Sequence, residues 1–219
     1  FALLALMLGS LFVIANLYPQ LIFASRFQML AFFVTTSITS LFAFIFAYRA
    51  QLQRRELQRL ATTDSLTGAG NRRTLNDQLA LAISEFARLS RQYGLILLDL
   101  DHFKQINDNY GHKVGDQILI ELVPVLQSML RQSDQVFRFG GEEFVVLVAD
   151  IKQADLERLA EKLLAGVQRK IILPDGAQIT TSIGVAMQKA DESWEAWLHR
   201  ADLALYQAKH QGRNRVVTV

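Results

Sequence analysis

Residues Arg138-Phe139-Gly140-Gly141-Glu142-Glu143-Phe144-Val145-Val146-Leu147-Val148 read as a tight turn running into a buried strand. Gly140 and Gly141 suit the positive φ angles of a hairpin turn. Gln135 to Phe139 forms the arm before the turn and Glu143 to Ala149 the arm after it. Two adjacent carboxylates, Glu142 and Glu143, stand at the exit of the turn. Glycines let a bulky phosphate approach the main chain, and hard carboxylate oxygens hold Mg²⁺. Charged residues at a turn are also what an ordinary solvated hairpin tip carries. The conjunction separates the two readings, because a given string such as Gly-Gly-Glu-Glu-Phe arises by chance roughly once per million positions.

A second apolar run, Leu95 to Leu100, carries Asp99 near its end. A carboxylate inside such a run is costly unless it is paired or binds a cation. Beside a hairpin bearing Glu142, it makes a hard-oxygen site for Mg²⁺, completed by phosphate and water oxygens. Asp99 and Asp101 read equally well as the turn and helix-capping residues that ordinarily follow a strand. Elsewhere, Leu75, Leu79, Ile83 and Phe86 share one helical face. Val114 to Leu130 reads as a helix in which Pro124 introduces a kink or a new start. Leu156 to Val167 and Trp194 to His210 read as helices, and Arg215 to Val219 as a terminal strand. Pro174-Asp175-Gly176, between Ile171-Ile172-Leu173 and Ile179 to Met187, signals a second hairpin. The class is α+β, with helices packed on a mixed sheet.

The amino-terminal part is different in kind. Phe1 to Tyr18 and Phe27 to Tyr48 contain no charged residue, and about 20 apolar residues cross a hydrocarbon core. Residues 1–48 are therefore expected to form two transmembrane helices, the first of them truncated. The alternative is a pair of buried core helices. Arg49, Arg54, Arg55 and Arg59 follow against a single Glu56, which directs everything beyond residue 49 to the cytoplasm. The expectation is a multi-pass protein of the inner membrane, its arginines meeting anionic headgroups of the lipid bilayer. Residues 49–62 read as a juxtamembrane helical stalk and residues 63–219 as the soluble domain. The absence of cysteine excludes disulfides, thiol catalysis and thiolate metal sites. A net charge of +2 without a basic stripe gives no footprint for nucleic acid.

From about Thr63 to Val219 the chain resembles the GGDEF-domain diguanylate cyclases, in their Glu-Glu version. Arg138 to Phe144 is similar to the family signature, and Asp64-Ser65-Leu66-Thr67-Gly68 with Asn71-Arg72-Arg73 to its opening motif. Ala69-Gly70 stands where Leu-Pro is more usual, and reads as a loop variation away from the chemistry. Asp99 to Lys104, Ile106-Asn107-Asp108, Gly111-His112 and Gly115-Asp116 match the metal and base-reading stretch. Thr181 to Ala186 matches a core strand, and Ala201-Asp202, Tyr206, Lys209 and Gly212-Arg213-Asn214 match the closing helix and turn.

The resemblance implies a nucleotidyl-cyclase, palm-like mixed central sheet with flanking helices. It implies a homodimer in which each domain holds one GTP, and condensation of two GTP into cyclic di-GMP with release of two pyrophosphates. Asp99 and Glu142 would be ligands of Mg²⁺ (or Mn²⁺), with the Leu100 carbonyl assisting. Glu142 would also accept the hydroxyl proton, and Lys104 would neutralise phosphate charge. Asn107 and Asp116 would read guanine, His112 would touch substrate, and Lys209 and Arg213 would grip the terminal phosphates. Arg131 and Asp134 would form the inhibitory product-binding site, five residues before the Gly-Gly.

Bland readings stand beside several of these. His112 also reads as a surface histidine, Lys209 and Arg213 as a basic helix end, and Arg131 with Asp134 as a surface ion pair. Glu143 has no assigned role. The rival function is a catalytically silent membrane-bound receptor for cyclic di-GMP or GTP. Such degeneration would remove Asp99, Glu142, Lys104 or Lys209, and all four are present. A cyclase making another nucleotide is disfavoured by Asp116.

Overall fold

A computed structural model describes residues 26–219, and the side chains there except at 26–27 and 55–61. Helix α1 (Arg26–Thr62) runs for 37 residues without a break. Its stretch Gln28–Arg54 covers 27 residues and contains an 18-residue window of mean hydropathy 2.0; it makes about 40 Å of helix against a hydrocarbon core of roughly 30 Å. Phe33, Phe42, Phe44 and Phe46 are all largely exposed, and a helix that is apolar all round suits lipid. The hydroxyls of Thr35 and Thr39 donate to the carbonyls of Ala31 and Thr35, both at 2.9 Å, so the helix satisfies them itself. The expected second span and stalk are thus parts of one helix. The expected first span, 1–18, lies outside the described residues. The chain divides into a unit ending at Leu57 and a unit from Gln58 to Val219.

The second unit is a five-stranded sheet of order β2-β3-β1-β4-β5. Its elements are α2 (Arg72–Leu89), β1 (Tyr93–Leu100), α3 (Phe103–Tyr110), α4 (His112–Gln127), β2 (Gln135–Gly140), β3 (Glu143–Ala149), α5 (Gln153–Lys170), β4 (Thr181–Met187), α6 (Trp194–His210) and β5 (Val216–Thr218). β1 is central, antiparallel to both β3 and β4, and every one of its residues is buried. β5 joins parallel to β4, which makes the sheet mixed.

Side chains alternate between the faces of a strand, and β1 divides its apolar residues accordingly. Ile96, Leu98 and Leu100 enter one core with residues of α3, α4 and α5. Leu95 and Leu97 enter the other with Leu75 and Leu79 of α2 and Trp197, Ala201 and Leu205 of α6. Trp197 is fully buried and its indole N–H donates to the Ala186 carbonyl at 3.0 Å, pinning α6 to β4.

Two local expectations change. The helix expected from Val114 begins at His112 and ends at Gln127, and Pro124 lies within it. In the last turn a proline removes only one helical hydrogen bond, so no new helix starts there. The expected hairpin around Pro174-Asp175-Gly176 is reduced to one bridge, Ile172 to Gln178. Ile172 is 54% exposed, so little apolar burial supports a longer ladder.

Gly184 lies where α6 crosses β4. A Cβ there would meet backbone atoms of Ala201 and Leu205, which cannot rotate away. Gly184→Ala is expected to destabilise the domain by about 2–3 kcal/mol. Urea denaturation followed by tryptophan fluorescence measures this directly, because both tryptophans, Trp194 and Trp197, lie on α6.

Candidate active site

The alternation that puts Leu95 and Leu97 on the α6 face carries Asp99 to the same face. Asp99 pairs with Glu143 of β3 on one side and Ser182 of β4 on the other. It is 7% exposed. Lys209, in the last turn of α6, reaches it with Nζ 2.6 Å from Oδ2. Burial pushes the Asp99 carboxyl above the usual carboxylate range; Lys209 pulls it back, and Glu142 and Asp101 push it up again. Burial likewise raises Glu143, with Asp99, Asp202 and Glu142 adding to it and Lys209 opposing. Glu143, which the sequence left without a role, is therefore the cross-strand neighbour of Asp99.

This arrangement fits a divalent cation. A single ammonium already stands against Asp99, and the carboxylates around it still repel one another. The donors are hard oxygens, the set Mg²⁺ and Mn²⁺ prefer. Among the described residues no three carboxylate or imidazole groups lie close enough to hold an ion alone. Further oxygens would have to come from a substrate.

The hairpin is braced by residues to which sequence reasoning gave no task. Arg138 donates through Nε and Nη2 to the Gly141 carbonyl, at 2.9 and 2.8 Å, and pairs through Nη1 with Asp64 at 3.0 Å. Burial raises the Asp64 carboxyl, but hydrogen bonds from the Thr67 N–H and hydroxyl and from Arg138 outweigh it and hold it low. The opening motif is thus a brace for the turn that presents Glu142. Ala69-Gly70 is part of the same brace, not a remote variation. The Gly70 carbonyl accepts the Arg138 N–H at 2.7 Å and the Gly70 N–H donates to the Val136 carbonyl at 2.9 Å. A Cβ at residue 70 would collide with the Phe137 ring.

Asn107, His112 and Asp116 form a second group, on α3 and α4, that makes no hydrogen bond or ion pair with the first among the described residues. Only Gly111 separates the two helices. The Asn107 amide fills the space where a Cβ of Gly115 would be, so the glycine sets where that amide sits. His112 and Asp116 are exposed, as is Lys104 in the first turn of α3. Leu100 closes β1, and Arg213 lies exposed in the turn after α6.

Arg131 and Asp134 precede β2, and their geometry is not a side-chain ion pair. Asp134 Oδ2 accepts the backbone N–H of Arg131 at 2.8 Å, which closes the turn and leaves the guanidinium exposed. The two residues border a cavity of about 350 Å³ that Lys162 and Asp155 also line.

A mixed sheet with a Gly-Gly-Glu-Glu hairpin beside a buried strand-end aspartate is the palm-like architecture of nucleotidyl cyclases. The chain matches the family model described as "Diguanylate cyclase, GGDEF domain" over residues 61–215 and belongs to that family. It is 40% identical over 162 residues to the bifunctional diguanylate cyclase/cyclic di-GMP phosphodiesterase MucR of Pseudomonas aeruginosa, covering 73% of this chain and 24% of the relative. It is 40% identical over 162 residues to the diguanylate cyclase DgcM of Escherichia coli, covering 74% of this chain and 39% of the relative. The chain therefore spans well under half the length of either.

Among solved structures, the coiled coil and GGDEF domain of DgcB from Caulobacter crescentus, in complex with c-di-GMP, superposes with a TM-score of 0.75. That match has 30% identity and covers 85% of this chain and 99% of that one. The active GGEEF domain of a diguanylate cyclase from Vibrio cholerae gives a TM-score of 0.65 at 32% identity, covering 68% and 96%.

A carboxyl whose pKa is raised by folding stabilises the fold at low pH and loses that contribution as pH rises through the raised value. Removing the ionisable group at Asp99 should remove part of this loss. Without divalent metal, the thermal midpoint of Asp99→Asn relative to the parent chain is expected to increase between about pH 4 and about pH 7. A difference that stays flat over that interval would count against burial as the dominant influence on Asp99.

Proposed function

We propose that this chain condenses two molecules of GTP into cyclic di-GMP, releasing two pyrophosphates, as a homodimer that uses Mg²⁺ or Mn²⁺. The observation that carries the reading is the pairing of Asp99 with Lys209 next to the Glu142-Glu143 hairpin, in a chain of this family. The four residues that a silent receptor would dispense with, Asp99, Lys104, Glu142 and Lys209, are all present in the sequence.

Asp99 and Glu142, with the carbonyl of Leu100, would hold the metal. Bound there, it would neutralise phosphate charge and lower the pKa of a coordinated hydroxyl. Asn107 and Asp116 hydrogen-bond guanine, the carboxylate accepting from the ring N–H and exocyclic amine. His112 adjoins the same nucleotide. Lys209 and Arg213 grip the β- and γ-phosphates, Arg213 by bidentate hydrogen bonds. Lys209 must therefore exchange Asp99 for phosphate when substrate arrives.

The 3′-oxygen of one GTP attacks the α-phosphorus of the other, its proton passing to Glu142. The bond to the β-phosphate breaks and pyrophosphate leaves, Lys104 offsetting the charge that develops. The reciprocal attack closes the ring. In such displacements positioning and charge neutralisation dominate over covalent work by the protein.

Helix α1 is read as a membrane span with the cyclase domain in the cytoplasm, since Arg49, Arg54, Arg55 and Arg59 follow the apolar stretch. The segment 1–18 would supply a second span of the inner membrane. Cyclic di-GMP bound at Arg131 and Asp134, whose guanidinium and cavity are open to a phosphate, would give product feedback.

Incubation of the detergent-solubilised chain with GTP and Mg²⁺ should yield cyclic di-GMP. A chain that dimerises and binds GTP yet forms no product is a receptor. Glu142→Gln is expected to lower turnover at least about 100-fold with an unchanged thermal midpoint, and near-parental turnover would remove Glu142 from the reaction. Arg131→Ala should leave the initial rate alone and abolish the slowing that product causes. Inhibition that persists in this variant would assign the cavity some other ligand.

A further inference from the structure

The turn after α6 holds three consecutive residues with positive φ, Gly212 at 113°, Arg213 at 62° and Asn214 at 44°. Glycine takes such angles freely. For arginine and asparagine they cost free energy, and they persist only where the surroundings over-determine them. The Arg213 N–H donates to the Ala208 carbonyl at 3.0 Å, and Arg215 Nε to the Arg213 carbonyl at 3.1 Å. Just beyond the turn the Arg215 carbonyl accepts the Ile183 N–H at 2.9 Å, and a further anchor, within the turn, comes from a distant part of the chain. Asn214 N–H donates to Asp101 Oδ2 at 3.1 Å.

Asp101 is 4% exposed. Its Oδ2 also accepts the Thr180 hydroxyl, its Oδ1 accepts the Ser182 hydroxyl, both at 2.7 Å, and its own N–H donates to the Thr180 carbonyl at 2.9 Å. Every one of these donors is neutral. A carboxylate so surrounded is occupied on both oxygens and is locked to the start of β4. What it holds in place is the left-handed turn.

We infer that Asp101 is a positioning residue for the phosphate grip. By fixing the Arg213-Asn214 turn against β4, it aims Arg213 and steadies the end of the helix that carries Lys209, without itself touching nucleotide. This rests on the reading above that Lys209 and Arg213 bind the β- and γ-phosphates. The consequence is selective. Loss of the anchor should weaken binding of a triphosphate and spare binding through guanine and the α-phosphate.

The test uses the full chain in detergent, with 3′-deoxy-GTP, which lacks the attacking hydroxyl, and with GMP. In Asp101→Ala the affinity for 3′-deoxy-GTP should fall about tenfold while that for GMP stays within about twofold. Asp101→Asn should retain most of the parental ratio, because its amide can donate to Ser182 Oγ while its oxygen keeps Thr180 and Asn214. Asn214→Gly added to Asp101→Ala should recover part of the loss, since glycine adopts the turn without strain.

Equal weakening towards both ligands, or no change, overturns the inference. Should Asp101→Ala fail to fold, Thr180→Val removes one anchor of Oδ2. It is expected to shift the ratio about threefold in the same direction, and an unmoved ratio overturns the inference. Arg213→Ala separates the two levels. If it too leaves the ratio unchanged, the phosphate role of Arg213 fails; if it alone lowers the ratio, only the role of Asp101 fails.

Discussion

Asp99 is the last residue but one of a strand whose every residue is buried, and an ionised carboxylate in that setting needs a cation beside it. Much of the second unit follows from meeting that need. The cation comes from α6, and α6 reaches it because Trp197 and Gly184 bring the helix close to β4. The alternation of β1 decides which helix can serve. Had the register slipped by one residue, Asp99 would face the core of α3, α4 and α5, where Leu98 and Leu100 now lie.

The hairpin is placed by an equally specific set of bonds. A Gly-Gly turn is permissive, so its conformation has to be imposed from outside. Arg138 does this by binding the Gly141 carbonyl twice and returning to Asp64. Asp64 belongs to the segment that follows α1. The Thr62 carbonyl at the end of that helix accepts from the Asn71 N–H and the Thr74 hydroxyl. The end of α1 and the turn bearing Glu142 are thus joined through one short polar segment.

Much of this was legible in the sequence. The helix expected over Trp194 to His210 has those bounds in the structure, where Ser193 caps it. Both hairpin arms and the central strand were recovered from apolar runs. The hairpin expected around Pro174-Asp175-Gly176 shrinks to one bridge, because a Pro-Asp-Gly turn signals a reversal whether or not the flanking residues find a sheet. In the site, Asp99 and Lys209 were legible as members of motifs, but their contact was not, since it depends on how α6 crosses β4. Arg138, Asp64 and Gly70 lie in or beside the family motifs, yet their bracing role needs the 74-residue separation between Asp64 and Arg138 to be closed. Glu143 gained its place from strand register alone.

Asp99 and Asp101 are two residues apart, alike in chemistry and both buried, and they end in opposite situations. Both oxygens of Asp101 are filled by hydroxyls and a backbone N–H held in fixed elements. The backbone donor, the Asn214 N–H, cannot leave without moving the turn after α6. Asp99 is held by one lysine at the end of a flexible stem, itself 32% exposed. Such a partner can be exchanged, provided another cation takes its place beside the buried carboxylate. A saturated carboxylate acts as a strut, and one held by an exchangeable cation is available to a ligand. The difference between them is set by their neighbours on β4 and α6 rather than by anything in the motif they share.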